Sequence, residues 1–193
     1  MKRAAFAAQI ATIAPNKLVF LDECGFGLNL HRLYGWVVGG GRCFEEVPFT
    51  RGQNRSVLGA FSLPTPDCAN GMRALWQKTE AWNRDTFEAF LCDGLLPVLE
   101  RGSVIVLDNA RFHHGGQIQA LVEKAGCSLL YLPPYSPDLN PIELAWSYLK
   151  NLVRSWAPRD DDARQRDIQC AQTLLPPQAA TNWFRKCGIP LPD

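Results

Sequence analysis

Three short, almost wholly apolar runs most constrain what this chain can fold into. They are KLVFLD at residues 17–22, SVIVLD at 103–108 and CSLLYL at 127–132. Runs of this length and composition are typical of strands buried on both faces of a sheet. Between the second and third lies a helix pattern from about residue 116 to 124, followed by Gly126 as a stop signal. Strand, helix, strand in this order predicts parallel pairing and an α/β fold.

The region between the first two runs predicts a different kind of structure. Residues 26–78 contain several glycines among short β-prone pieces such as YGWVV at 34–38, a pattern that indicates an antiparallel meander. Trp36 in that piece is expected to pack in the core of a hairpin. Residues 83–102 have a helical apolar period. The overall prediction is a mixed sheet flanked by helices.

Composition excludes several classes of protein. The 193 residues, 47% of them hydrophobic, suffice for one domain with a buried core. Charge is balanced, with 20 Lys and Arg against 19 Asp and Glu, so nucleic-acid binding would need a local basic surface. Seven widely spaced cysteines form no CxxC motif and favour a reducing, cytoplasmic location. No apolar run approaches the roughly 20 residues that cross a bilayer.

Two aspartates, Asp22 and Asp108, each end one of the apolar runs. In open α/β sheets, ligands bind beyond the ends of the strands. An acid at the end of an apolar row is costly to desolvate unless a cation meets it. For either aspartate alone, capping the following turn is the more ordinary role.

Glu143 follows a proline-rich segment, YLPPYSPDLNPIELAW, that spans residues 131–146. Asn140 and Pro141 fit the N-cap and first position of a helix that runs to about residue 156. Glu143 then falls at the third position, where it would complete a capping box with Asn140. The rigid segment would equally lower the entropy lost in holding Glu143 at a fixed point.

The three acids together favour a metal site. Three carboxylates without a Cys or His cluster select hard ions such as Mg²⁺ or Mn²⁺. Two such ions roughly 3.5–4 Å apart promote phosphoryl transfer by activating the attacking hydroxyl and stabilising the leaving oxygen. We therefore expect Asp22, Asp108 and Glu143 to converge on one point.

Four motifs, in order along the chain, resemble those of a known family. They are LVFLDECGF, YGWVVGGG, VIVLDNARFHH and LPPYSPDLNPIELAWSYLK, and thirty-four residues separate Asp108 from Glu143. The pattern resembles the catalytic domain of DDE transposases in the mariner superfamily, in particular the bacterial insertion-sequence-630 group. The resemblance covers about residues 17–156, and its last two motifs are the most specific.

The resemblance implies a ribonuclease-H-like fold with a mixed five-stranded sheet flanked by helices. It implies that Asp22, Asp108 and Glu143 bind two Mg²⁺ ions, with Mn²⁺ able to substitute. The implied activity is cleavage of double-stranded DNA at transposon terminal inverted repeats, followed by strand transfer into target DNA, usually at TA. The active form is expected to be a homodimer in the bacterial cytoplasm, associated with the nucleoid and not with a membrane.

Supporting roles are expected for a second set of residues. Glu23 lies on the opposite strand face from Asp22, but a short shift would let it serve as a metal ligand. Asn109 and His113 match the family's DNA…H stretch. They would orient a phosphate or a water, or only fix the turn after the strand. The candidate phosphate contacts are Arg42, Arg51, Arg55, Arg111, Lys150 and Arg154.

The catalytic domain is predicted over residues 17–156, between two appendages. Residues 1–16 are interpreted as the remnant of a linker that forms a short helix, since Gln9 interrupts the apolar stretch that a signal peptide would need. Residues 157–193 are predicted to be a tail with a charged, exposed start and one short helix around 178–186. Reading of transposon ends is expected to need an upstream helix-turn-helix polypeptide, because family members carry one.

Two other functions remain open from the sequence. One is a non-catalytic, truncated fragment that acts as a DNA-binding or dimerisation module. The other is an unrelated ribonuclease-H-like nuclease, such as a junction resolvase, that prefers branched DNA or an RNA–DNA hybrid. Intact acids favour the transposase, and metal-dependent nicking separates it from the non-catalytic module.

Overall fold

A five-stranded mixed sheet forms the centre of the domain in the computed structural model, which describes residues 2–30, 34–44, 46, 53–110 and 113–191. The strands are β1 (Leu18–Phe26), β2 (Arg55–Ser62), β3 (Met72–Lys78), β4 (Val104–Leu107) and β5 (Ser128–Tyr131). Their order across the sheet is β3-β2-β1-β4-β5. β1 pairs antiparallel with β2, and β2 with β3, whereas β1, β4 and β5 run parallel. The predicted mixed sheet is confirmed.

Six α-helices in the described part of the chain pack around the sheet. They are α1 (Lys2–Ile10), α2 (Arg84–Ala89), α3 (Ile118–Lys124), α4 (Pro141–Trp156), α5 (Asp161–Thr173) and α6 (Pro177–Lys186). α2 continues into a π-helical turn at Phe90–Leu95 and a 3₁₀ turn at Leu96–Val98. None of the helices in the described ranges is long and apolar enough to cross a membrane.

The helical connection between β4 and β5 makes these strands parallel, and this places their carboxyl ends at the edge of the sheet where ligands would bind. α3 joins these parallel strands, and Gly126 follows it with a φ of 75°, a left-handed conformation that glycine adopts without strain. Because β1, β4 and β5 are parallel, their carboxyl ends lie at the same edge of the sheet. Asp22 lies within β1, and Asp108 directly follows β4 at this edge.

The core has two layers, one on each face of the sheet. One layer joins Phe20 and Val106 to Ile142 and Leu149 of α4, and to the buried residues of α1, α5 and α6. The other joins Val19, Leu21 and Ile105 to α2, α3 and the π-helical turn. Alternate residues of β1 therefore enter opposite layers, as expected for a strand buried on both faces.

α4 lies unusually close to β2. A side chain at Gly59 would place its Cβ 2.5 Å from Cη2 of Trp146, so only glycine leaves room for this indole ring. Gly59 pairs with Asp22 across the β1–β2 ladder. The same close approach therefore brings the first turn of α4, with Glu143, near Asp22.

The piece YGWVV at 34–38 is not a strand. Its chain makes a turn in which the N–H of Gly40 donates to the carbonyl of Val37 (3.3 Å), and Gly39 and Gly40 both have positive φ. No strand in the described ranges pairs with it, so Trp36 is fully exposed. The prediction that Trp36 packs in the core is wrong, because this segment forms a turn that pairs with no strand in the described ranges.

The tail at 157–193 holds two helices where the sequence predicted one. α6 lies where the short helix was expected, but α5 is built from the charged run that was read as exposed. Asp160 caps α5 by accepting from the N–H of Ala163 (2.7 Å). Arg164 is fully buried and donates to the carbonyl of Phe26 (2.9 Å) and to Asp161. Its charge is thus paired inside the fold.

Candidate active site

Asp22 is the most buried of the three predicted acids. Its Oδ1 accepts from the backbone N–H of Glu23 (2.8 Å), and its Oδ2 accepts from Nδ2 of Asn140 (3.1 Å). Burial, and then the nearby negative charge of Glu143, raise the pKa of Asp22 to about 7. A cation close to a carboxyl group in this environment would favour its ionised form.

Asp108 is half exposed and held in place by its own turn. Its Oδ1 lies 2.7 Å from Nδ1 of His113 and accepts from the N–H of Ala110 (2.9 Å). The hydrogen bond from His113 holds the pKa of Asp108 below its ordinary value. Asp108 is therefore ionised and oriented before any ligand arrives.

His113 lies in the core behind Asp108, with only 2% of its surface exposed. Its Nδ1 faces Asp108, its Nε2 lies 3.8 Å from Oε1 of Glu23, and its ring packs 4.6 Å from that of Phe87. Burial opposes the charged form, but the hydrogen bond to Asp108 and the nearby carboxylate of Glu23 outweigh it and raise the pKa of His113 to about 9. The imidazolium thus bridges two acids.

Glu143 lies in the first turn of α4, as predicted, but the capping box is absent. Asn140 occupies the N-cap, yet its side chain makes no cap hydrogen bond. The side chain of Glu143 instead faces the same cavity as Asp22 and Asp108, and burial raises its pKa. The capping-box interpretation of Glu143 is therefore wrong, because Asn140 turns its amide toward Asp22.

The three acids line one open cavity of about 470 Å³. Its other wall is the proline segment, where Tyr135 is fully exposed and has a φ of 53°. Arg3 of α1 holds this segment by donating to Ser136 Oγ (2.8 Å) and to Asp138 Oδ1 (3.0 Å). α1 therefore packs against the wall that precedes Glu143.

The chemistry of this cavity fits a hard divalent cation. Its charged groups are carboxylates, and oxygen ligands are what Mg²⁺ and Mn²⁺ prefer. Across the residues that the structure describes, no three His, Cys, Asp or Glu side chains already lie close enough together to bind one ion. An arriving ion would therefore have to draw the carboxylates inward and offset the burial and the mutual repulsion that raise the pKa of Asp22.

A smaller polar groove of about 220 Å³ continues from Glu143 along α4. Lys150 and Arg154 line it, on the same helix face as Glu143. The ammonium of Lys150 lies 5.9 Å from the centre of the Phe26 ring, and Nη1 of Arg154 donates to Asn151 Oδ1 (2.8 Å). Two cations thus stand beside the acidic cavity.

The other predicted DNA contacts lie in different settings. Arg42 is exposed in the 34–44 segment, and Arg51 and Arg111 lie outside the described residues. Arg55 is only 6% exposed and pairs with Asp161, so it ties β2 to α5 and offers no free surface charge. Asn109 borders the cavity and donates to the carbonyl of Leu132.

Two residues of the site had no distinctive signal in the sequence. Asn140 was expected only to cap α4, because Asn before a Pro-initiated helix ordinarily does so. Arg3 lies more than 130 residues from Ser136 along the chain, and nothing local links them. Only the folded arrangement reveals that both support the wall of the cavity.

A family comparison decides the membership of the chain. The profile of the DDE superfamily endonuclease family matches residues 17–164, which include all three acids. The chain belongs to this family. No curated protein sequence matched it.

Solved transposase structures share the fold of this DDE endonuclease domain. The Mos1 transposase paired-end complex with left transposon end aligns with a TM-score of 0.62 and 18% identity over 97% of this chain and 61% of that one. The catalytic domain of Mos1 mariner transposase aligns with a TM-score of 0.52 and 14% identity over 99% and 94% of the two chains. The fold is thus ribonuclease-H-like, and the chain spans about three fifths of the Mos1 chain in the paired-end complex.

Proposed function

We propose that this chain is the catalytic domain of a transposase that cleaves DNA at transposon ends and joins the ends to target DNA. One observation carries the proposal: Asp22, Asp108 and Glu143, from three separate elements, line a single open cavity in a DDE endonuclease domain. The Mos1 structures with this fold include a paired-end complex with a transposon end and a strand transfer complex.

The proposed reaction has two phosphoryl transfers. In the first, water attacks a phosphorus atom at the transposon end, the bond from phosphorus to the 3′ oxygen breaks, and a 3′-hydroxyl is released. In the second, that hydroxyl attacks a phosphorus atom of the target strand, loses its proton and displaces the target's own 3′ oxygen. Neither step forms a covalent bond to the protein.

Asp22, Asp108 and Glu143 would hold two Mg²⁺ ions, with Mn²⁺ able to substitute. Bound divalent ions lower the pKa of the attacking hydroxyl and stabilise charge on the leaving oxygen. His113 would keep Asp108 ionised and oriented through its 2.7 Å contact, and Glu23 would hold the other side of His113. Asn109 borders the cavity and would fix the turn after Asp108.

DNA would approach along α4. Lys150 and Arg154 line the groove that leads from Glu143, and cations at this position suit a phosphate backbone next to the scissile bond. Arg42 is exposed and free to contact DNA, and Arg51 and Arg111 stay predicted contacts. We omit Arg55 because it is buried against Asp161.

The finer assignments follow from the sequence motifs. The spacing of thirty-four residues between Asp108 and Glu143 supports membership of the insertion-sequence-630 group, and with it insertion at TA. Action as a homodimer is proposed because two ends must be joined in one reaction. Recognition of the terminal inverted repeats would fall to an upstream helix-turn-helix polypeptide.

A nicking assay tests the proposal directly. Purified protein is incubated with supercoiled plasmid and Mg²⁺ or Mn²⁺, and the relaxed product is measured. We expect nicking that EDTA abolishes and that Asp108→Asn lowers at least 100-fold, whereas Asp67→Asn, an exposed acid in a distant turn, retains wild-type activity. Equal behaviour of wild type and Asp108→Asn would contradict an enzymatic function and favour the non-catalytic module.

A further inference from the structure

Asn140 stands between two of the three proposed metal-binding acids. It is only 3% exposed and precedes Glu143 by three residues at the N-cap of α4. Its amide reaches across to Asp22, which is 118 residues away along the chain and lies on β1. One side chain therefore connects the strand that carries one acid to the helix that carries another.

The side chain of Asn140 does not perform the usual task of its position. An N-cap asparagine normally accepts a hydrogen bond from the second or third N–H of its helix. Here no such bond forms, and Oδ1 of Asn140 is buried without a hydrogen-bond partner in the described part of the chain. Nδ2 instead donates to Oδ2 of Asp22 at 3.1 Å. The side chain of Asn140 therefore contacts Asp22 and does not cap α4.

The contact leaves Asp22 oriented yet able to bind an ion. Oδ1 of Asp22 accepts one bond, from the N–H of Glu23, and Oδ2 accepts one, from Asn140. Each carboxylate oxygen has two lone pairs, so each retains one for a cation. An amide N–H₂ group can only donate, and it therefore favours the ionised form of the carboxyl that it holds.

We propose that Asn140 is a positioning residue that orients the Asp22 carboxylate for the divalent cation and couples this orientation to the start of α4. The inference rests on the proposed function and deepens it. Hydrogen-bond partners of this kind, one step behind the ligands, typically change metal affinity 10–100-fold when removed.

Two substitutions separate positioning from capping. Asn140→Ser introduces a side chain that can cap α4 but is too short to reach Asp22, whereas Asn140→Ala can neither cap α4 nor reach Asp22. Asn16→Ser, at an exposed position, is the matched control. Mn²⁺ binding to metal-free protein is measured by calorimetry, after thermal unfolding in EDTA has shown that each variant folds.

We expect about tenfold weaker Mn²⁺ binding for both Asn140→Ser and Asn140→Ala, with Asn16→Ser unchanged. We also expect Asn140→Ser to cause no further loss in an Asp22→Ala background, because the residue acts through Asp22. Wild-type affinity in Asn140→Ser, or an equal loss in both backgrounds, would overturn the inference while leaving the proposed function intact. Absence of Mn²⁺ binding by the wild-type protein would overturn both.

Discussion

At the scale of single residues, the site is defined by how each acid is held. Asp108 is exposed but fixed by His113 and its own turn, whereas Asp22 is buried and bound by Glu23 and Asn140. The pKa of Asp108 is lowered and that of Asp22 is raised to about 7. The two aspartates therefore differ in how readily they ionise, and a nearby cation would reduce this difference.

Replacing His113 should test whether its contact with Asp108 supports activity, and replacing the exposed neighbour His114 serves as the comparison. His113→Ala removes the 2.7 Å contact with Asp108, and we expect plasmid nicking to fall about 10–100-fold. His114→Ala is the matched control, because the His114 side chain is exposed and stacks on Tyr131 at 4.4 Å. Equal rates for the two variants, both folded by circular dichroism, would contradict a supporting role for His113.

At the scale of secondary-structure elements, α4 and α5 determine where the acids and cations lie. α4 approaches β2 closely because Gly59 has no side chain, and α5 is fastened to β1 and β2 through Arg164, Asp161 and Arg55. Both contacts lie on the layer of the core that supports Glu143. Disturbing either should therefore affect stability first and the site second.

Gly59→Ala tests the close approach of α4. The added methyl group would lie 2.5 Å from Trp146, and overpacking of this kind costs about 1–3 kcal/mol of unfolding free energy. Nicking should fall as well, because the first turn of α4 must shift away from Asp22. Gly41→Ala, whose Cβ would meet its nearest neighbour at an ordinary 3.5 Å, should change neither quantity. An unchanged unfolding free energy for Gly59→Ala would refute the packing argument.

The pair of Arg55 and Asp161 predicts a pH dependence of stability. The hydrogen bond from Arg55, aided by Arg164, lowers the pKa of Asp161 to about 2, below the ordinary value of about 4. A lowered folded-state pKa contributes stability that is fully present above the unfolded value and is lost as the pH falls through the folded one.

Chemical unfolding of wild type and Asp161→Asn between pH 2 and pH 7 measures this contribution. We expect wild type to be the more stable above about pH 4, and the difference to shrink progressively toward about pH 2. The Asp161 side chain is 38% exposed, so solvent screens part of the interaction, but its two partners, Arg55 and Arg164, are buried, and the difference should exceed that of an exposed surface pair. A difference that stays constant across this range would show that the ion pair is not its source.

At the scale of the whole molecule, the sequence predicted β1, β4, β5 and α4 well, because apolar runs and helical periods report burial directly. The predictions failed for charged and aromatic side chains whose surroundings are formed by distant parts of the chain. Arg164 looked like a surface cation but is buried against Phe26 O and Asp161, and Trp36 looked like a core residue but is exposed. Asn140 was placed correctly at its helix end, but its contact with Asp22 depends on two distant segments meeting.

The central claim is that three acids distant in sequence bind divalent cations together, and anomalous diffraction tests it most directly. Crystals of the wild-type protein are soaked in Mn²⁺, and an anomalous difference map locates the ions. We predict peaks inside the cavity, within bonding distance of Asp22, Asp108 and Glu143, and their loss in crystals of Asp108→Asn. A map without a peak in this cavity, or with one that Asp108→Asn leaves unchanged, would contradict the account.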